Sequence, residues 1–206
     1  MAFPFLLESV DGPGPRARYD ILFHYTGQSL SLQREPSDFL GNLDRWQRKL
    51  ATPAPASTSL PFRGGWFLYL GYELAGAIEP RLDLPDFEPK FPRAFAARCP
   101  AAIIRDRKLD LCFAVCEAGR ESLLPLLHQV YQEPVTPRPA PPGGRLTEED
   151  PAAFMAGVDR VHEYILAGDV FQVNLSRHWT LRKEAESASI YAALRQGNPA
   201  PFSGLA

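Results

Sequence analysis

A mixed α/β (α+β) fold is predicted for these 206 residues by three observations. Short alternating or glycine-bounded apolar runs recur between residues 17 and 116, at the two-residue period of strands. Two helical stripes after residue 147 flank one further extended run. Between these regions, Pro134-Val-Thr-Pro-Arg-Pro-Ala-Pro-Pro142 and Gly143-Gly144 form a stretch that supports neither helix nor central strand. The reading is a strand-rich region over 1–133, a linker over 134–146 and the start of a second domain over 147–206.

Taken in order, Ala17–His24 and Leu30–Gln33 have strand patterns, and Thr26-Gly27 between them predicts a hairpin. Ser37-Asp38 is a helix start, with Phe39, Leu43, Trp46 and Leu50 on one stripe. A loop is expected over Thr52–Pro61. Gly64-Gly65-Trp-Phe-Leu-Tyr-Leu-Gly71-Tyr72 is a strand bounded by glycines. Ala94–Arg105 and Lys108–Cys116 form a strand pair turning at Asp106-Arg107. Ser122–Gln132 is a short helix that tolerates Pro125 in its first turn.

After the linker, Thr147-Glu-Glu-Asp150 has the form of a capping box. Phe154, Val158, Val161, Ile165 and Leu166 make a helical stripe that ends at Gly168. Residues 168–177 then read as a strand with two unlike faces. Phe171, Val173, Leu175 and Trp179 alternate on one side with Arg177 among them; Gln172, Asn174, Ser176 and His178 alternate on the other. That second face holds only uncharged donors and acceptors around one histidine, which suits a pocket for a polar small molecule. A half-buried strand can also have a polar face with no function. Ser189–Gln196 is a last helix, stopped by Gly197 and Asn198-Pro199. One strand between helices cannot close a core, so the chain is expected to be the front part of a larger domain or to lack a partner chain.

Bulk properties narrow the function. Hydrophobic residues are 45% and charged residues 22%, as in ordinary globular proteins, and the net charge is −2. No basic block marks a nucleic-acid binder. The start of the chain has no basic n-region, Glu8 interrupts its apolar run, and no stretch approaches a membrane span, so a cytoplasmic protein without membrane partners is expected. Cys112 and Cys116 share a strand at roughly 13 Å, too far for a disulfide. With Cys99 they are expected to be reduced core residues. The four histidines have no metal-ligand spacing.

Four ordered motifs carry a resemblance. Gly168-Asp-Val-Phe-Gln-Val-Asn-Leu-Ser-Arg177 resembles the signature strand of the chorismate-utilising enzymes. Phe5-Leu-Leu-Glu-Ser9 with Arg18-Tyr-Asp-Ile-Leu-Phe23, Pro61-Phe-Arg-Gly-Gly65 with Gly71-Tyr72, and Asn198-Pro-Ala-Pro-Phe202 resemble motifs of the amine-adding members. The resemblance implies two interleaved halves, with large antiparallel sheets packed together, helices outside, and a fold incomplete in this chain. Between the amine-adding members, Asn174 and the run Arg18–Phe23 lean toward aminodeoxychorismate synthase component I, with anthranilate synthase component I as the alternative. A third possibility is a truncated, catalytically dead module that binds tryptophan.

The resemblance also implies site residues and partners. Gln172, Asn174 and Ser176 would face chorismate. Relatives that add water have a lysine at the position of Gln172, because water needs a general base whereas neutral ammonia already offers a lone pair. Glu8, Ser9, Tyr19, Pro201, Phe202 and Ser203 match positions that line a tryptophan pocket; the alternative is that Glu8-Ser9 ends an edge strand and Phe202 is core. The ammonia would come from a glutamine amidotransferase subunit. No catalytic residue is expected within this chain: the glutamates that hold Mg²⁺, and the lysine that attacks chorismate in aminodeoxychorismate synthases, are expected beyond residue 206.

Overall fold

The computed structural model describes residues 2–10, 17–33, 38–50, 59–82, 84, 91–132, 144–182 and 186–206. The chain divides into two compact units, Met1–Thr136 with Arg195–Ala206, and Pro137–Leu194. Most of the Pro-rich linker and the Thr52–Pro61 loop lie outside the described residues.

In the first unit the strands are β1 (Phe5–Glu8), β2 (Tyr19–His24), β3 (Ser29–Leu32), β4 (Gly65–Leu70), β5 (Ala94–Cys99), β6 (Ala101–Asp106) and β7 (Leu111–Cys116). In the second, β8 (Arg145–Glu148) pairs antiparallel with β9 (Trp179–Arg182). A last strand, β10 (Ser203–Leu205), returns to the first unit. The helices are α1 (Phe39–Leu50), α2 (Ala75–Ile78), α3 (Leu124–Gln132), α4 (Pro151–Ala167) and α5 (Ser187–Gly197). No described helix is long and apolar enough to cross a membrane.

Two antiparallel sheets build the first unit, one ordered β10-β1-β2-β6-β7 and the other β3-β5-β4. Phe5, Phe23 and Ala102 of the first sheet share one buried cluster with Ala97 and Cys99 of the second. Phe5 stacks on Phe67 at 4.5 Å between ring centres, and Phe23 meets the same ring edge-on at 5.5 Å. A second cluster (Leu32, Phe39, Leu74, Ala94 and Ala96) buries the other face of β5 against α1. The helix starts where the sequence predicts: the Asp38 carboxylate accepts from the Gly41 amide at 2.9 Å. Trp46 then meets Trp66 edge-on at 5.6 Å.

Several expectations are corrected. The strands flanking Thr26-Gly27 are real, but they do not form a hairpin. β2 joins β1 and β6 while β3 joins β5, so the chain crosses between sheets at Gly27, whose φ of +87° favours glycine. The run 94–105 is likewise two strands in two sheets. Pro100 separates them because it has no N–H for a ladder, and its carbonyl accepts from the Glu117 amide at 2.9 Å. Thr147 lies in β8 and makes no capping box; the Asp150 carboxylate caps α4 through the Ala152 amide at 3.0 Å. Gly168 ends α4 in the left-handed region, as expected, but the strand expected over 168–177 is absent. Residues 172–178 have no ladder partner among the described residues, and Phe171 is fully exposed. Leu175 lies over α4 at Gly157, where a Cβ would fall 3.2 Å away. Cys112 is exposed rather than core; Cys99 is buried, and burial pushes its thiol up to about 11.

The β6–β7 turn hangs on one carboxylate. Asp106 accepts from the Lys108 and Leu109 amides at 3.0 and 3.2 Å and from Arg18, whose Nη2 approaches to 2.7 Å. The Arg18 hydrogen bonds hold the Asp106 carboxyl below the usual range, the two amides add to this, and burial opposes it. A depressed folded pKa contributes stability that is present above the unfolded value of about 3.9 and lost as pH falls through the folded value. We therefore expect Asp106→Asn to be less stable than the wild type at pH 7, with a shallower loss on acidification below about pH 4. Urea titrations at pH 7 and pH 3 check this; parallel curves would show that Asp106 is not the group responsible.

Candidate functional site

One hollow in the first unit follows from strand order. β1 ends at Glu8, β2 begins at Tyr19, and β10 pairs with β1 so that Leu7 lies opposite Gly204 and Glu8 opposite Ser203. The Val10 amide donates to the Ala200 carbonyl at 2.9 Å and holds the 200–204 segment in place. A cavity of about 460 Å³ results, lined by Leu7, Glu8, Ser9, Tyr19, Phe202, Ser203 and Gly204. It gathers Glu8, Ser9, Tyr19, Phe202 and Ser203 from opposite ends of the sequence. Pro201 is next to Phe202 in the chain but is not among the lining residues.

Ser9, Tyr19 and Glu8 are positioned by their neighbours. The Ser9 amide donates to Asp20 Oδ1 at 3.1 Å, and its hydroxyl donates to the Tyr19 carbonyl at 3.3 Å. Asp20 is itself clamped by Arg107, whose Nε meets both carboxylate oxygens at 2.9 Å. The Arg18 guanidinium lies 4.7 Å from the centre of the Tyr19 ring. Glu8 is only 10% exposed and pairs with Arg195 Nε of α5 at 2.8 Å. The cavity thus has Leu7, Tyr19 and Phe202 as apolar walls and one carboxylate at its edge, a combination that fits an aromatic body carrying an ammonium group. Leu7 and Gly204 were missed from sequence. Leu7 lies inside the quoted motif, while Gly204 gives no local signal: its smallness matters only because a Cβ there would fall 3.2 Å from Leu7.

In the second unit Gln172, Asn174 and Ser176 are exposed. Gln172 Nε2 donates to Asn174 Oδ1 at 3.2 Å, so these two share a side as the alternation predicts. They do not line the β1–β2–β10 cavity. Arg177 is held structurally, 4.9 Å from the Trp179 ring centre and 3.7 Å from Glu148 Oε2. His178 Nδ1 meets Glu149 Oε1 at 3.0 Å. A second, open cavity of about 710 Å³ lies between β3 and α1, lined by Gly27, Gln28, Ser29, Leu30, Asn42 and Trp46.

The histidines remain separate. His24 is buried, its ring lies edge-on to Phe3 at 5.3 Å, and burial lowers its pKa. Among the described residues no three His, Cys, Asp or Glu side chains gather as a metal site. Among the described residues no set of oxygen donors that would suit Mg²⁺ is gathered.

Comparison with known proteins yields a consistent set of similarities. The family model described as chorismate binding enzyme matches residues 4–206. Anthranilate synthase component 1 of Bacillus caldotenax is 27% identical over 241 residues, covering 96% of this chain and 47% of that protein. The protein of the same name from Streptomyces coelicolor is 30% identical over 227 residues, covering 96% of this chain and 42% of its own length. Aminodeoxychorismate synthase component 1 of Streptomyces lividans is 30% identical over 149 residues, 69% of this chain and 30% of that protein. Among solved structures, anthranilate synthase component I from Streptococcus pneumoniae superposes with a TM-score of 0.66 at 21% identity, over 91% of this chain and 47% of that one, a likeness of fold. The chain spans about half the length of the curated relatives it matches.

Proposed function

Because the chain belongs to the chorismate binding enzyme family, we propose that it serves in component I of an enzyme that aminates chorismate. The observation that carries this reading is the cavity between β1, β2 and β10. Leu7, Glu8 and Ser9 come from the motif Phe5–Ser9, Tyr19 from the run Arg18–Phe23 and Phe202 from the motif Asn198–Phe202, with Ser203 and Gly204 just after it. Gln172 supports the same choice, since an amide cannot take a proton from water at neutral pH but can hydrogen-bond the substrate or orient an amine. A glutamine amidotransferase subunit would supply ammonia. Mg²⁺ dependence belongs to the proposal, with ligands expected outside these 206 residues. The cavity would seat tryptophan, with its ammonium on Glu8 and its indole against Tyr19 and Phe202.

Asn174 within Gln172-Val-Asn-Leu175, and the run Arg18–Phe23, favour 4-amino-4-deoxychorismate as product, made for p-aminobenzoate and folate. Anthranilate is the second reading, favoured by the relatives that cover nearly the whole chain. The chemistry separates them: forming the aminodeoxy product retains the enolpyruvyl group, whereas forming anthranilate releases pyruvate. With chorismate, ammonia and Mg²⁺, the 206-residue polypeptide alone is expected to give no sustained product. Completed by a relative's remaining half, it is expected to aminate chorismate without stoichiometric pyruvate. Pyruvate appearing with each turnover would select the second reading; water-derived product alone would reject both.

A further inference from the structure

We propose that the outer edge of β3 is a docking site for an extended, uncharged peptide segment of a partner protein, which adds a fourth strand to the β3-β5-β4 sheet. Among the described residues β3 has β5 as its only ladder partner. The Gln28 carbonyl accepts from the Arg98 amide at 2.9 Å and the Leu32 carbonyl from the Arg93 amide at 2.8 Å. The even-numbered residues therefore turn their backbone groups toward β5 and the residue before it. Alternation turns the N–H and C=O of Ser29 and Ser31 the other way, where no described backbone group meets them. Edge strands are commonly blunted by Lys, Pro or other charge, and Ser29-Leu-Ser-Leu32 has none of these.

The cavity of about 710 Å³ lies beside this edge and makes it a groove rather than a bare strand. Gly27, Gln28, Ser29 and Leu30 form one wall, with Asn42 and Trp46 of α1 opposite. None of the six is charged. Arg45 of the same helix donates to Asn42 Oδ1 at 2.8 Å and pairs with Asp38 at 3.1 Å, so its charge is already offset. The Asn42 amide keeps its NH₂ group to donate, and Trp46 is braced edge-on against Trp66 at 5.6 Å. A charged segment would give up water here without gaining a counter-charge, so the occupant is neutral and sets an aromatic or apolar side chain against Trp46. The strand edge reads its main chain and the groove reads its side chains. Size argues against a second copy pairing β3 with β3: a stable dimer buries roughly 1,000 Å² or more, which an edge of four residues does not supply. A single segment gains from edge and groove together.

The test selects a phage-displayed library of linear heptapeptides on the 206-residue chain, then titrates the enriched peptide by fluorescence anisotropy. The enriched sequences are expected to be uncharged, with an aromatic or large apolar residue. N-methylation scanned along the synthetic peptide is expected to weaken binding by about 10-fold at alternate residues and by less than about twofold at those between, because only one side of an extended chain pairs with β3. Ser31→Pro removes an outward N–H while leaving the bonds to β5, so it should weaken binding by about 10-fold with the thermal midpoint close to wild type. If that variant also unfolds earlier, the two-residue period of the N-methyl scan still decides, since it is read on the wild-type chain. No enriched peptide, a charged consensus, or a scan without that period overturns the proposal. So does a concentration-dependent dimer in sedimentation that Ser31→Pro dissolves, which would make a second copy the occupant of the edge.

Discussion

Glu117→Ala is expected to lower the free energy of unfolding by about 3–5 kcal/mol, because it strands a buried guanidinium. Arg98 projects from β5 with a side chain only 7% exposed. It donates to the Gly65 carbonyl at 2.6 Å, lies 4.7 Å from the centre of the Trp66 ring and pairs with Glu117 just beyond β7. One side chain thus ties the three-stranded sheet to the end of the five-stranded one. Glu117 is the more exposed partner at 23%, but its removal leaves the charge on the less exposed one. The local backbone serves this contact: Gly64 has φ of +122°, and a Cβ there would fall 2.2 Å from Glu117 Cγ. Replacing both partners, as Arg98→Met with Glu117→Leu, is expected to recover most of the loss, since a well-packed apolar pair carries no desolvation penalty. Urea denaturation of the single and double variants measures the difference. A loss below about 1 kcal/mol in Glu117→Ala would mean that solvent reaches Arg98 and that the pair behaves as a surface contact.

Local signals were legible where local physics decides the outcome. The Asp38 cap, the Phe39–Leu43–Trp46 stripe and the Gly168 terminus depend on residues within a few turns, and α1 and α4 form accordingly. Gly64 was legible as a strand boundary, but its reason was not, because Glu117 lies 53 positions away in the chain. Strand pairing failed for the same reason. The pattern around Thr26-Gly27 states that two strands exist; which sheet each joins depends on Pro100, where the chain changes sheets. The polar face of residues 172–178 shows the converse. Alternation was read correctly enough to place Gln172 beside Asn174, yet an extended segment becomes a strand only against a partner. The cavity was reached through motif resemblance rather than periodicity. Arg195 escaped because a basic residue in the last turn of a helix is ordinary there, and its contact with Glu8 spans nearly the whole sequence.

Glu8→Gln is expected to weaken tryptophan binding by about 10-fold to 100-fold, equivalent to roughly 1.5–3 kcal/mol for converting a charge-assisted hydrogen bond to a neutral one. The substitution keeps the shape of the side chain, so the walls formed by Leu7, Tyr19 and Phe202 retain their spacing. It leaves Arg195 without its carboxylate, but that guanidinium is 44% exposed and water can solvate it, so the fold should lose little. This separates binding from stability: the midpoint of thermal unfolding without ligand should stay close to wild type while calorimetric affinity falls. Ser203→Ala is the contrasting case, because Ser203 lines the same cavity without charge, and a neutral hydroxyl contributes only about 0.5–1.5 kcal/mol. If Glu8→Gln bound tryptophan as tightly as the wild type, the ammonium would have to lie elsewhere, and the Glu8–Arg195 pair would be a strut between β1 and α5. If both variants lost binding equally, the cavity would be recognising shape alone, and any flat apolar molecule of indole size should then compete. The carboxylate of one strand-end residue therefore decides between an amino acid pocket and an apolar seam.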